Sequence, residues 1–67
     1  MSVAKVSEIS ATSTIGFPEA IKEGLTRANK TLRNVRSAWI KEQHVRVSDE
    51  KITEYQVNMM VTFIIDD

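Results

Sequence analysis

Few side chains in this sequence suit bond-making chemistry. The chain has no cysteine and one histidine, His44, so thiol nucleophiles and cysteine zinc sites are excluded and a histidine metal site lacks a second ligand. No nucleophile lies at a catalytic spacing from a base, and the two glycines, Gly16 and Gly24, form no phosphate-binding loop. The sequence therefore favours a binding or structural protein, without catalytic or metal-binding residues, over an enzyme.

Two other side chains are better suited to holding a flat ligand. Trp39, the only tryptophan, offers a ring for stacking, and Gln56 offers an amide for the polar edge of a heteroaromatic ligand. Stacking contributes about 0.5 to 1.5 kcal/mol beyond area burial. Core or interface packing is the simpler role for Trp39, and a cross-strand hydrogen bond is the simpler role for Gln56. Both roles stay open at this level.

The balance of charged residues limits the kinds of partner that the protein is expected to bind. Nine basic and nine acidic residues give a net charge of zero, which argues against general electrostatic binding to nucleic acid or anionic lipid. The apolar runs are too short to span a bilayer, and residues 1–9 lack the basic start and apolar stretch of a secretion signal. We expect a cytoplasmic protein with neither nucleic-acid nor membrane partners.

Hydrophobic periodicity predicts the elements that position these residues. Residues 3–11 alternate in the manner of a strand, and Pro18 marks a helix that begins near Phe17 and ends near Asn34. Apolar or small residues recur along this helix at steps of three and four, which predicts one buried face. The positions are Phe17, Ala20, Ile21, Gly24, Leu25, Ala28 and Leu32.

The second half of the chain predicts a β-hairpin. Strands 37–47 and 52–65 flank a short polar turn, and the odd-numbered residues from Tyr55 to Ile65 form an apolar face that should be core. In the middle strand the alternation breaks between Ile40 and Val45. A β-bulge near Lys41-Glu42 would explain the break.

The resulting order is strand, helix, strand, strand, an α+β fold in which one helix covers one face of a three-stranded antiparallel sheet. We interpret residues 1–67 as a single domain. The uncovered face carries Trp39 or Ile40, together with Met60 and Ile64. Large apolar groups on an open sheet are typical of association, so we expect a closed homo-oligomer.

This order of elements, with particular residues, resembles the dodecins, small flavin-binding proteins that assemble as hollow dodecameric shells. The resemblance covers nearly the whole chain. It depends on Lys5-Val6, Glu8-Ile9, Ala11-Thr12-Ser13, Thr31-Leu32-Arg33-Asn34-Val35-Arg36, Glu42-Gln43, Glu54-Tyr55-Gln56-Val57 and Val61-Thr62-Phe63.

The resemblance implies a non-catalytic protein that binds, stores and sequesters a flavin, either riboflavin, FMN or a related planar aromatic ligand. In the family, flavin rings stack in pairs near symmetry axes on a tryptophan at the start of the second strand, and a glutamine of the third strand touches them. Gln56 matches that glutamine. Ser37 occupies the usual place of the tryptophan, and Trp39 follows two residues later, on the same face but roughly 6 to 7 Å away.

The resemblance also assigns the charged surroundings of the pocket. Glu42 matches a carboxylate position, whereas His44 and Ile64 stand where some relatives carry arginines that could hold a phosphate. Riboflavin is therefore favoured over FMN. The implied cofactor-binding residues are Ser37, Trp39, Glu42, His44 and Gln56.

Two alternatives stay open. The same assembly without flavin would act as a scaffold or as a store for ions or another small molecule. In that case Asp49-Glu50 and Asp66-Asp67, repeated by symmetry, would gather calcium or magnesium through oxygen ligands. A small adaptor that binds a partner protein through its open sheet face is the second alternative.

Overall fold

The computed structural model describes residues 3–65, and its elements follow the predicted order. β1 spans Val3–Ser13, α1 Phe17–Thr31, β2 Val35–Ser48 and β3 Lys51–Ile65. The sheet is antiparallel with the strand order β1-β3-β2, so the last strand lies in the centre. The predicted α+β fold is confirmed. The strands are longer than predicted: β2 gains three residues against the expected 37–47, β1 gains two against 3–11, and β3 gains one against 52–65.

The helix ends three residues before the predicted position. Leu32 is already extended, and its N–H donates to the carbonyl of Ala28 at 2.8 Å. Asn34 adopts the left-handed conformation with φ 57°, which asparagine tolerates well. The carbonyl of Asn34 accepts from the N–H of Ile64 at 3.1 Å. The end was predicted too late because pairing with a distant strand, rather than local propensity, stops the helix.

The core lies between α1 and the centre of β3. Val57, Met59 and Val61 are fully buried, as the alternation predicts. At the strand ends the predicted core face is only partly covered: Phe63 is half-buried, and Ile65 is 44% exposed. A helix of 15 residues is about 22 Å long, whereas 15 residues of strand span roughly 50 Å. One helix therefore leaves both ends of the central strand open.

Small residues bring the helix close to the sheet. Ala20, Gly24 and Ala28 are its buried positions. A Cβ added at Gly24 would lie 2.5 Å from Cε of Met59 and 3.1 Å from Cβ of Ala11, so the absence of a side chain permits this close approach. The hydrophobic face predicted for α1 is confirmed at these positions.

The predicted β-bulge is confirmed. Ile40 pairs with Met59 and Glu42 pairs with Asn58, which leaves Lys41 as the extra residue of β2. The bulge changes which alternate residues face the helix. Ile40 lies on the core face, while Glu42 lies on the opposite side, which we call the open face.

The hairpin makes the molecule long. Its principal extents are 51 × 19 × 13 Å and its radius of gyration is 13.8 Å, against about 11 Å for a compact chain of this length. Asp49 and Glu50 form the turn with φ of 51° and 63°, as in a type I′ hairpin. Val47 and Ile52, near this turn, are more than half exposed.

No helix within residues 3–65 is long and apolar enough to cross a membrane.

Candidate functional site

All five predicted site residues lie on the open face. In the register of β2 against the central strand, Ser37 pairs with Thr62, Trp39 with Met60, Glu42 with Asn58, and His44 with Gln56. The choice between Trp39 and Ile40 is also settled, because Ile40 faces the core. The bulge places the even-numbered Glu42 and His44 on the same face as the odd-numbered Trp39.

One half of the open face is largely apolar. Trp39 is 51% exposed beside the half-buried Met60. Towards the end of β3, Thr62 pairs with Val6 of β1, which is 42% exposed, and the half-buried Ile64 follows. This half provides an aromatic ring with apolar neighbours, the environment that a stacked planar ligand needs.

The other half of the open face is a hydrogen-bonded group, which we call the polar cluster; its members are Ser10, Glu42, His44, Gln56 and Asn58. Gln56 Nε2 donates to Ser10 Oγ at 2.9 Å and to Asn58 Oδ1 at 3.3 Å. Asn58 Nδ2 donates to Glu42 Oε1 at 2.7 Å and lies 3.5 Å from His44 Nε2. The cluster therefore holds Gln56 and Glu42 in fixed orientations.

Asn58 also sets the charge state of the cluster. Its hydrogen bond to the carboxylate is the main reason that the pKa of Glu42 is lowered from its ordinary value, with His44 as a further contributor. His44 Nε2 lies 3.7 Å from Glu42 Oε1. Nε2 of His44 accepts from Asn58 only when that nitrogen carries no proton, and it forms an ion pair with Glu42 only when the ring is protonated.

Two ion pairs border the cluster. Lys41 Nζ lies 3.3 Å from Glu8 Oε1, so the bulge residue reaches across the central strand to β1. Arg46 Nε lies 2.9 Å from Glu54 Oε1. Each cation thus has a carboxylate partner.

Sequence reasoning missed two contributors to this face, Ser10 and Lys41. It placed Asn58 there, because Asn58 shares the face of Gln56 at a spacing of two residues, but assigned it no role. Ser10 and Lys41 could not have been found in this way. Their contacts depend on β1 and β2 both flanking β3.

Trp39 and Gln56 do not converge within one subunit. Gln56 lies four residues along β3 from Met60, the partner of Trp39, which corresponds to about 13 Å along the strand. The Glu42–Asn58 pair lies between them. A ligand that touches both the ring and the amide must span this distance, or it must take the amide from a second copy of the chain.

Two grooves lie on the helix side of the sheet and contain little of this site. The larger, of about 550 Å³, separates α1 from β1 and is lined by Thr12, Glu23 and Arg27 among others. The smaller, of about 250 Å³, lies between α1 and β2 and touches Ser37.

Within residues 3–65 no group of three or more metal-ligating side chains comes together. Asp66 and Asp67, predicted as ion ligands, lie outside the described residues.

The subunit is thus a small two-layer α+β protein in which one helix covers one sheet face, and the uncovered face presents an aromatic ring and amides. A sequence model of the dodecin family matches residues 3–66. The chain therefore belongs to the dodecin family, as the resemblance implied. Membership supports self-assembly into a homo-oligomer.

Solved structures agree with this assignment. A dodecin from T. thermophilus, solved as an arginine-to-alanine mutant, is 34% identical over 100% of both chains, with a TM-score of 0.94. The dodecin from Streptomyces davaonensis is 33% identical over 98% of this chain and 97% of its own, with a TM-score of 0.93. A calcium-chelating antigen from Mycobacterium tuberculosis, a calcium dodecin, is 31% identical over 96% and 91%, with a TM-score of 0.82. No curated protein matches the chain.

Proposed function

We propose that this chain, as one domain, forms a dodecin-type homododecamer that binds riboflavin or a closely related flavin. The protein does not convert the flavin chemically; it stores and sequesters it in the cytoplasm. The observation that carries the proposal is the exposed ring of Trp39, next to Met60, on the sheet face that the helix leaves uncovered.

The surroundings of Trp39 support stacking. Half of its surface is exposed in the subunit, although a large aromatic ring gains free energy by burial. Ser37, two residues earlier on the same face, is small and leaves room beside the ring. Met60 supplies a polarisable wall on the neighbouring strand. A planar ligand would cover this apolar surface.

A second copy of the chain would complete the pocket. Gln56 lies about 13 Å along the sheet from the Trp39 row, so a ring on one subunit's tryptophan is better placed for the amide of another subunit. This agrees with the pairing of flavins near symmetry axes that the resemblance implies. A dodecamer would also bury the exposed Val45 and Val47, which α1 does not cover.

Flavin fluorescence tests the proposal. Riboflavin titrated with micromolar protein should lose its emission as the ring stacks on Trp39, and Trp39→Ala should abolish the loss. Trp39→Phe, which keeps a smaller ring, should retain part of it. Light scattering on the same samples reports whether each variant still assembles. Unchanged riboflavin emission with the assembled wild-type protein would disprove flavin binding.

The calcium-chelating relative favours ion storage as a second candidate. In this chain the exposed carboxylates of the hairpin turn, Asp49 and Glu50, would be brought together only by symmetry. Elemental analysis and an absorption spectrum from about 350 to 500 nm on the protein as isolated separate the candidates. Bound calcium without flavin absorbance would favour ion storage.

A further inference from the structure

We propose that the polar cluster selects among flavins by charge, accepting the uncharged hydroxylated side chain of riboflavin and disfavouring a phosphate, and that Glu42 sets this specificity. This inference rests on the proposed flavin binding at Trp39. It goes beyond the missing phosphate-binding arginines, because it assigns the discrimination to a group that is present.

Position is the first argument. The Glu42–Asn58 pair lies directly beside the Trp39–Met60 pair, two residues along β3, which is about 7 Å. A substituent that leaves a ring stacked on Trp39 in the direction of Gln56 therefore passes over Glu42. This side chain is half exposed and accessible to a ligand.

Hydrogen-bonding capacity is the second argument. Both amide nitrogens of the cluster already donate inside it: Gln56 Nε2 to Ser10 and Asn58, and Asn58 Nδ2 to Glu42, with His44 at 3.5 Å. The amides and the carboxylate retain only accepting capacity, on Glu42 and on the Gln56 carbonyl, while the Ser10 hydroxyl and Nδ1 of His44 can each still donate one proton. Hydroxyl groups can donate to such acceptors, whereas a phosphate dianion has only acceptors to offer.

Charge is the third argument. The cations that border the cluster are engaged, Lys41 with Glu8 at 3.3 Å and Arg46 with Glu54 at 2.9 Å. His44, the only other basic group of the cluster, contacts Asn58 Nδ2 through the ring nitrogen that would accept. His44 Nε2 also lies 3.7 Å from Glu42 Oε1 and counters the carboxylate charge when the ring is protonated. With the ring neutral, no other cation among residues 3–65 forms an ion pair with Glu42. The carboxylate would then repel a phosphate held nearby.

Three flavins that differ only in the side chain test the inference. Riboflavin carries a neutral hydroxylated chain, FMN carries the same chain with a phosphate, and lumiflavin carries a methyl group. Fluorescence titrations at pH 7.5 keep the phosphate mainly dianionic. For a dianion about 7 Å from a carboxylate in water, we expect wild-type protein to bind riboflavin roughly tenfold more tightly than FMN at low salt. The ratio should shrink in high salt.

Glu42→Gln is the decisive variant, because it removes the charge and keeps an oxygen that can accept from Asn58 Nδ2. We expect the ratio of riboflavin to FMN affinity to fall towards one, while lumiflavin affinity stays unchanged. Glu23→Gln, which neutralises an exposed carboxylate on the helix, is the control for net charge and should keep the wild-type ratio.

The two proposals fail in different ways. Equal or tighter binding of FMN by the wild type, or an unchanged ratio in Glu42→Gln, would overturn the charge selection and leave flavin binding intact. Failure of all three flavins to bind the assembled wild type would overturn the proposed function, and the selection with it.

Discussion

The two faces of the sheet are built from the same strands but differ in what covers them. On the helix side, Val57, Met59 and Val61 are fully buried beneath α1. On the open side, Trp39 keeps half of its surface, and a hydrogen-bonded cluster of side chains takes the place of a packed core. Neighbouring residues of one strand therefore lie in different environments, a packed core on one face and a hydrogen-bonded, partly exposed surface on the other.

This contrast shows how a chain of 67 residues can combine a packed core with an uncovered sheet face. A single helix can shield only one side of a sheet, so the other side is available for copies of the chain and for a ligand. Substitutions on the two faces should have correspondingly different effects.

The largest contrast is expected between two adjacent methionines. Met59→Ala removes a fully buried side chain and should lower the free energy of unfolding by about 2 to 5 kcal/mol. Met60→Ala, on the open face, should cost less than about 1 kcal/mol and should weaken riboflavin binding instead. Denaturant unfolding at matched protein concentration measures the first effect. Equal destabilisation by both variants would contradict the division between the faces.

His44→Arg should change binding without changing the core. A guanidinium next to Glu42 would neutralise the carboxylate and present unpaired donors, so FMN affinity should rise roughly tenfold relative to riboflavin. The unfolding midpoint should shift little, because His44 is exposed. Parallel titrations with both flavins measure the ratio, and His44→Gln, which adds no charge, serves as the control. No gain for FMN would argue that the phosphate does not reach this position.

Lys41→Ala should have a small effect on stability. Its ion pair with Glu8 joins two half-exposed side chains, and such pairs contribute about 0.2 to 1 kcal/mol. Added salt should reduce the difference from the wild type. Thermal unfolding at low and high salt checks this, with the exposed helix residue Lys22→Ala as a matched control. A loss as large as that of Met59→Ala would show that the bulge depends on the lysine.

The smallest effect on stability is expected from the titration of Glu42. Its hydrogen bond from Asn58 lowers the pKa of the carboxyl below the ordinary 4.5. The charged form thus stabilises the folded state above that value, and the contribution is lost as the pH falls through the lowered pKa. In Asn58→Ala the pKa should rise back towards its ordinary value. Carbon-detected NMR titration of Glu42 measures it, and an unchanged pKa would exclude Asn58 as the cause.

Much of the fold was predictable because its signals are local. Alternation on β3 identified Val57, Met59 and Val61 as core, and the broken alternation on β2 located the bulge at Lys41. The helix end was predicted too late because the carbonyl of Asn34 accepts a hydrogen bond from the N–H of Ile64, which lies thirty residues further along the chain. Local propensity contains no information about such a contact.

The candidate site was predictable in its members rather than in its contacts. Gln56, Glu42 and Trp39 were identified from residue type and from the family resemblance. The hydrogen bond from Gln56 to Ser10 and the ion pair of Lys41 with Glu8 were not identified, since they join strands that are distant in sequence. The 13 Å separation of the tryptophan and glutamine rows also depends on strand register.

By itself, the sequence determined the hydrophobic periodicity of each helix and strand, the apolar face of the central strand and the family. These features depend only on residue types and on their spacing along the chain. Only the tertiary structure decided that Trp39 rather than Ile40 faces outward with Glu42 and His44, and that Asn58 links the two. The physical reason is that a one-residue bulge inverts which alternate residues share a face, and the effect of that inversion appears only when the register against the central strand is known.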